Sequence, residues 1–288
     1  MIAVGPAKKA PQAPFLLSCD CHAHVCGPES RYPYIPQRLY TPPDALPAHH
    51  RGMLDFLGIE RGVLVQPSVY GTDNRAMLDA LCRDPQRLRG VAVVPFDVET
   101  SQLEELHALG VRGVRVNIVD LKEGKGALPL AQLKKLGEKI KPFGWHVEFL
   151  MHVDEFPELD RQLGDFPVDV VFGHLGYIKE KTVDEPGLRA MLRLMKDGKA
   201  WVKLTAPYRL TTSAAPYSDI NAFAQALVDA APQRLLWGTD WPHVFIKTAM
   251  PEDAMLLGLL TRWLPDEGQR RRILVDNPAA LYDFPTRP

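Results

Sequence analysis

The feature that most constrains this chain is a rhythm of eight short apolar runs separated by amphipathic segments. The runs span Phe15–Val25, Gly62–Pro67, Gly90–Pro95, Gly113–Ile118, Trp145–Met151, Val168–His174, Trp201–Thr205 and Arg234–Thr239. They are rich in Val and Leu and nearly continuous, the pattern of strands covered on both faces in a parallel sheet. Helical patterns lie between most of them, at Asp73–Cys82, Gln102–Leu109, Leu130–Ile140, Gly187–Met195 and Ile220–Ala230. Eight strand–helix units share 288 residues, about 36 each, which suits a (β/α)8 barrel. A doubly wound open sheet normally carries a Gly-rich nucleotide turn after an early strand, and no G-x-G-x-x-G occurs here. The expectation is therefore an α/β fold, a single TIM-like barrel over residues 15–288 after a flexible segment at 1–14. Arg61, Arg89 and Arg112 each open an Arg-Gly-Val string, a weak internal repeat whose glycines suit the ends of preceding helices.

Charge and cysteine usage narrow the function classes. Lys and Arg number 34 against 35 Asp and Glu, so neither nucleic acid nor an anionic membrane surface is an expected partner. No stretch approaches ~18 continuous apolar residues, so no membrane span is expected. Met1–Pro14 has lysines but no apolar core of signal-peptide length, which predicts a cytoplasmic protein. Cys19 and Cys21 are separated by one residue rather than the two to four of structural zinc pairs. Reduced thiols packed as small apolar groups are expected for them and for Cys26 and Cys82.

Strand parity then assigns faces. Asp20, His22 and His24 share one face of the first strand, with Cys19, Cys21 and Ala23 on the other. Arg115 pairs with Asn117, His146 and Glu148 with Leu150 and His152, Phe172 with His174, and Lys203 with Thr205, while the last strand runs into Asp240. Buried charges are costly unless paired or metal-bound, so several such faces, mostly near C-terminal strand ends, point to a polar centre at one barrel mouth. Asp can take a proton from water there, while histidines hold a metal or polarise a scissile carbonyl. Lys203 is expected to pair with an interior acid such as Glu148. His49 and His50 are expected at the surface, and the proline- and tyrosine-rich stretch Pro28–Pro47 as an ordered loop over the mouth.

Seven strings, taken in order, carry a resemblance. They are Asp20-Cys21-His22-Ala23-His24-Val25-Cys26-Gly27-Pro28, Arg38-Leu39-Tyr40-Thr41-Pro42, Asp73-Asn74-Arg75-Ala76-Met77, Val111-Arg112-Gly113-Val114-Arg115, Gly173-His174-Leu175-Gly176, Trp237-Gly238-Thr239-Asp240-Trp241-Pro242-His243 and Val275-Asp276-Asn277-Pro278. The chain resembles the amidohydrolase superfamily and, within it, the 2-pyrone-4,6-dicarboxylate hydrolase (lactonase) group, over nearly its whole length. The resemblance implies a (β/α)8 barrel that opens a small cyclic ester with water in catabolism of aromatic compounds. It implies Asp240 as general base and His22, His24 and His174 as groups that polarise the lactone carbonyl. It also implies Tyr40, Arg115, Arg209 and His243 as substrate contacts, and an arginine fork does suit a carboxylate.

Two positions depart from that group, with Leu121 and Tyr177 where it has arginines. Two lost charge-assisted contacts of ~1.5–3 kcal/mol each would weaken recognition of a dianion, which opens the substrate to monocarboxylate or sugar lactones. The lactonase group implies no cofactor. His152 nonetheless stands where zinc-binding members of the superfamily often have histidine, so His22, His24, His152 and Asp240 form the alternative set for one Zn2+. The other functional alternatives are a zinc-dependent decarboxylase of the carboxymuconate-semialdehyde type and a barrel that binds an organic anion without turnover.

Overall fold

The computed structural model describes residues 15–119, 128–179 and 182–286. The segment 1–14 and Leu121 lie outside the described residues. Each of the eight predicted runs overlaps a strand: β1 (Cys19–Ala23), β2 (Arg61–Val65), β3 (Leu88–Ala92), β4 (Val111–Asn117), β5 (His146–Leu150), β6 (Val170–Phe172), β7 (Ala200–Leu204) and β8 (Leu235–Trp237). Each pairs in parallel with its neighbours in sequence order. Helices α1 (Pro47–Leu57), α2 (Arg75–Arg83), α3 (Thr100–Ala108), α4 (Leu130–Ile140), α5 (Leu159–Leu163), α6 (Pro186–Lys196), α7 (Asn221–Ala230) and α8 (Asp253–Trp263) follow the strands. Two further segments, α9 (Glu267–Arg271) and α10 (Asn277–Tyr282), come after α8. This is the (β/α)8 barrel that the apolar rhythm predicts.

The barrel closes between β8 and β1 with little backbone ladder. Past the end of β8, Asp240 N donates to His22 O at 2.8 Å and His24 N to Trp241 O at 2.7 Å. Lower down, the Asp20 carboxylate replaces the missing rungs. Its Oδ1 accepts from His22 N and Thr239 N at 3.0 Å each, and its Oδ2 from Thr239 Oγ1 at 2.6 Å. Gly238 makes this approach feasible, because a Cβ there would lie 2.7 Å from His22 N and 2.8 Å from its Cβ.

Two of the parity assignments do not hold. Asp20 pairs with Gly62 and Ala23 with Leu64, so three steps along β1 match two along β2, and a bulge lies between them. Cys19 and Cys21 consequently pack inside the barrel with Val63, Val65, Val91, Val171 and Leu236 rather than against helices. Beyond the bulge His22 and His24 also turn inward, while Asp20 stands in the β1–β8 seam. In β6, Val171 is the interior residue and Phe172 packs in the helix layer. His174 regains the interior through a left-handed turn, at φ +50°, after the strand has ended.

The Arg-Gly-Val repeat has a different use from the one expected. Its glycines lie within strands, and a Cβ on Gly90 would meet Leu81 at 2.8 Å, while one on Gly113 would meet the His146 ring at 2.6 Å. The arginines gather under the barrel: Arg61 and Arg89 lie over the Phe284 ring at 5.1 and 4.7 Å, and Arg112 pairs with Asp283 at 3.3 Å. Tyr282 and Phe284 thereby stopper the barrel floor below the apolar layer. All four cysteines are free, three of them buried, and Cys82 is exposed. His50, expected at the surface, is buried against Trp241 with ring centroids 5.5 Å apart, because its face of α1 packs on the barrel wall.

Burial pushes the Asp20 carboxyl up to about 6, against the pull of its hydrogen bonds from Thr239 and His22. The folded state therefore holds this proton between about pH 4 and 6 while the unfolded chain, titrating near 3.9, does not. The contribution to stability is largest below about pH 4 and falls, by of order 2–3 kcal/mol, as pH rises through about 6. Asp20→Asn should remove this decline, so the stability of the variant relative to wild type rises between pH 4 and pH 7. Urea unfolding of both proteins across that range measures it; parallel curves would show that Asp20 does not titrate there.

Candidate active site

Above the apolar layer the barrel interior turns polar. Glu148 and Lys203, both fully buried, pair at 2.5 Å, as the sequence predicts. Two acceptor and donor groups thus satisfy each other in a dry setting, where either alone would be strongly destabilising. Burial raises the Glu148 carboxyl, but the Lys203 ammonium outweighs it and holds the group well below the usual carboxylate range. His22 rests on this pair, its Nδ1 3.3 Å from Glu148 Oε1 and 3.3 Å from Lys203 Nζ. Burial and the ammonium push the His22 imidazole down to about 3, so the ring is neutral at neutral pH.

The next layer holds His24, His174 and Asp240. Asp240 follows the short strand β8 on a left-handed turn, φ +66°, which aims its carboxylate back over the barrel axis. Its Oδ2 accepts from Tyr208 Oη at 2.6 Å and from Arg209 Nε at 2.9 Å, with Arg209 Nη2 2.8 Å away. Its Oδ1 has no hydrogen-bond partner and lies 3.6 Å from both His22 Nε2 and His24 Nε2. Burial opposes the charge, but the Arg209 guanidinium, with help from the histidines, holds Asp240 well below the usual range. His24 Nδ1 is 2.7 Å from Val65 O, which only accepts, so that nitrogen carries a proton and Nε2 is left facing Asp240. His174 is neutral because burial pushes it well down, and its Nδ1 has no partner.

His24, His174 and Asp240 line one cleft together with Arg115 and Tyr177. Arg115 is buried, donates through Nη1 to Gln66 O at 2.9 Å, and leaves Nε without a partner; no described acidic side chain forms an ion pair with it. Tyr40 reaches the cleft from the Pro28–Pro47 loop and stacks on Phe245 at 5.3 Å, as expected of a loop over the mouth.

The structure brings together Asp240, His22, His24, His174, Arg115 and Tyr40, and places three other candidates differently. Arg209 lines the cleft, yet its Nε and Nη2 are committed to Asp240 and Nη2 also to Val244 O at 2.7 Å. Its first task is to hold a carboxylate of the chain itself. His243 is not among the cleft residues; it lies behind Asp240, its Nδ1 3.0 Å from Tyr208 Oη. His152 turns outward beyond the end of β5, where its Nδ1 donates to Tyr177 O at 2.6 Å and its ring stacks on Tyr177 at 4.5 Å. Tyr208 was not a sequence candidate. A tyrosine beside an arginine carries no signal of its own, and its role follows from the turn through Ala206, φ +51°.

These placements bear on a metal. The predicted set with His152 is not assembled, but ligand atoms of His22, His174 and Asp240 lie within 4.8 Å of one another. The unpartnered His22 Nε2, His174 Nδ1 and Asp240 Oδ1 are borderline-to-hard donors that fit one divalent ion.

Comparison with known proteins agrees with this geometry. Residues 19–284 match the amidohydrolase family. The chain is 37% identical over 273 residues to the 2-pyrone-4,6-dicarboxylate hydrolase of Comamonas testosteroni, covering 91% of this chain and 89% of that one. It is also 37% identical over 268 residues to the 4-sulfomuconolactone hydrolase of Hydrogenophaga intermedia, covering 92% and 88%. A crystal structure of a probable 2-pyrone-4,6-dicarboxylic acid hydrolase from Acinetobacter baumannii, with citric acid bound, superposes with a TM-score of 0.82 at 31% identity, covering 93% of this chain and 100% of that one. With its fold and almost its entire length in agreement, this chain belongs to the amidohydrolase family.

Proposed function

We propose that this protein hydrolyses a small lactone bearing a carboxylate, with Asp240 as general base. The observation that carries the reading is the two-sided Asp240 carboxylate: Oδ2 is fully engaged by Tyr208 and Arg209, and Oδ1 faces the histidines without a partner. A water seated against Oδ1, with His24 Nε2 beside it, donates one of its protons to that carboxylate oxygen. As its oxygen attacks the lactone carbonyl carbon, one proton passes to Asp240 Oδ1. The neutral His174 supplies an N–H to the carbonyl oxygen as negative charge develops there. Collapse of the tetrahedral intermediate breaks the ring C–O bond, and the leaving oxygen takes the proton back from Asp240. The product is an open-chain hydroxy acid or its tautomer. Both relatives named above are lactone hydrolases whose substrates carry acidic groups, which supports the substrate class.

The charge balance supports an anionic substrate. Asp240 and Glu148 face three cationic side chains, Arg209, Lys203 and Arg115, and the first two are already paired. Arg115 is thus the described cation with capacity for a substrate carboxylate. The same surplus disfavours a further dication, and turnover is proposed to run on side chains alone. A divalent ion, when bound, would be held by His22, His174 and Asp240 and would supply Lewis-acid polarisation of the carbonyl.

Three measurements test this reading. Asp240→Asn should lower kcat for 2-pyrone-4,6-dicarboxylate or 4-sulfomuconolactone at least ~1,000-fold, within the span of general-base effects. A near-normal rate would remove Asp240 as the base. Arg115→Gln should raise KM about 10- to 100-fold with a smaller change in kcat, the loss of one charge-assisted contact; an unchanged KM would place the carboxylate elsewhere. Protein purified without chelator should keep its activity through dialysis against chelator. Stoichiometric zinc whose removal abolishes turnover, and whose return restores it, would overturn the side-chain mechanism.

A further inference from the structure

We propose that Asp253 is a positioning residue for Asp240, acting through His243 and Tyr208. The inference rests on Asp240 being the base, and adds how that base is aimed. Asp253 opens α8, and its side chain is about one-fifth exposed at the edge of the mouth. Its Oδ1 lies 3.0 Å from His243 Nε2; His243 Nδ1 lies 3.0 Å from Tyr208 Oη; Tyr208 Oη donates to Asp240 Oδ2 at 2.6 Å. The chain therefore runs from a partly exposed carboxylate to a fully buried one through two side chains that are almost completely covered.

Its chemistry gives it a direction. Both ends are carboxylates, which only accept, so Tyr208 spends its one proton on Asp240 and His243 donates from both ring nitrogens, Nε2–H to Asp253 and Nδ1–H to Tyr208 Oη. Asp253 fixes the rotation of the imidazole, the imidazole fixes the hydroxyl, and the hydroxyl makes the shortest bond to the Oδ2 side of Asp240. With Oδ2 pinned, Oδ1 is left facing His22 and His24. The backbone is bent to build this line: Asp240, His243 and Ala206, two residues before Tyr208, all take left-handed conformations that side chains other than glycine rarely adopt. Packing alone gives no reason for three such residues to converge on one hydrogen-bonded row.

The competing account is that Asp253 merely caps the helix, where an acidic residue in the first turn is favourable. Crystal structures and kinetics of four variants separate the two. In Asp253→Ala, Tyr208 and the Asp240 carboxylate should rotate, so that Oδ1 leaves its 3.6 Å separation from the histidines. Lactone turnover should then fall about 10-fold in kcat with KM changed less than about two-fold, the scale of lost outer-shell support. Asp253→Asn, whose amide oxygen still accepts from His243, should recover kcat to within about three-fold of wild type. Tyr208→Phe should lower kcat similarly, and adding Asp253→Ala to it should cost less than about two-fold more, because the coupling passes through the lost hydroxyl. An Asp240 carboxylate unmoved in Asp253→Ala, or fully multiplicative losses in the double variant, would overturn the proposal. If Asp240→Asn turns over lactone normally, the base reading fails instead, and the crystallographic comparison still decides whether Asp253 positions Asp240.

Discussion

The ion pair between Asp240 and Arg209 governs the mouth of this barrel. A fully buried carboxylate cannot remain charged without compensation, and a fully paired one has little capacity left for chemistry. The geometry reconciles these demands by loading both cationic contacts and the tyrosine hydroxyl onto one oxygen. The other oxygen keeps its charge and its freedom. Much else follows from this asymmetry: the turn at Ala206 that delivers Tyr208 and Arg209, the turn at Asp240 itself, and the commitment of Arg209 to the chain rather than to a ligand.

Polarity inside the barrel is layered for a related reason. Phe284 and Tyr282 close the floor, small apolar residues such as Cys21 and Val63 fill the middle, and the Glu148–Lys203 pair begins the polar zone. That pair satisfies itself, while burial first and the Lys203 ammonium second keep His22 neutral. A neutral imidazole in a dry pocket can accept or donate one proton without the cost of a buried charge. Burial of this zone thus keeps the imidazole just beneath the cleft uncharged.

Much of this was legible in the sequence. The eight apolar runs, the Asp240 turn, the two strand-1 histidines and the Lys203–Glu148 pair were all readable, because they depend on local periodicity or on a charge that must find a partner. Parity failed where its assumption of an unbroken pleat failed. The bulge in β1 turned Cys21 and His22 to the same side, and His174 reached the interior from a turn beyond β6. The partners of His152 and Arg209 within the chain were not legible for another reason: residue type tells what a side chain can bind, whereas loop conformation decides what it meets first. Tyr208 and Asp253 gave no local signal, since the chain of bonds joining them exists in space alone.

The two closures of the barrel have a temporal consequence. Asp20 meets Thr239 across 219 residues, and Arg61 meets Pro285 across 224. Neither the seam nor the stopper can form until nearly the whole barrel has been synthesised. Loop closures of this span are slow, and the interior stays open to water while they are pending. During that interval Cys19 and Cys21, inert thiols in the finished protein, stand on an unsealed strand. The same closing contacts that complete the mouth are thus the ones that cover these two thiols.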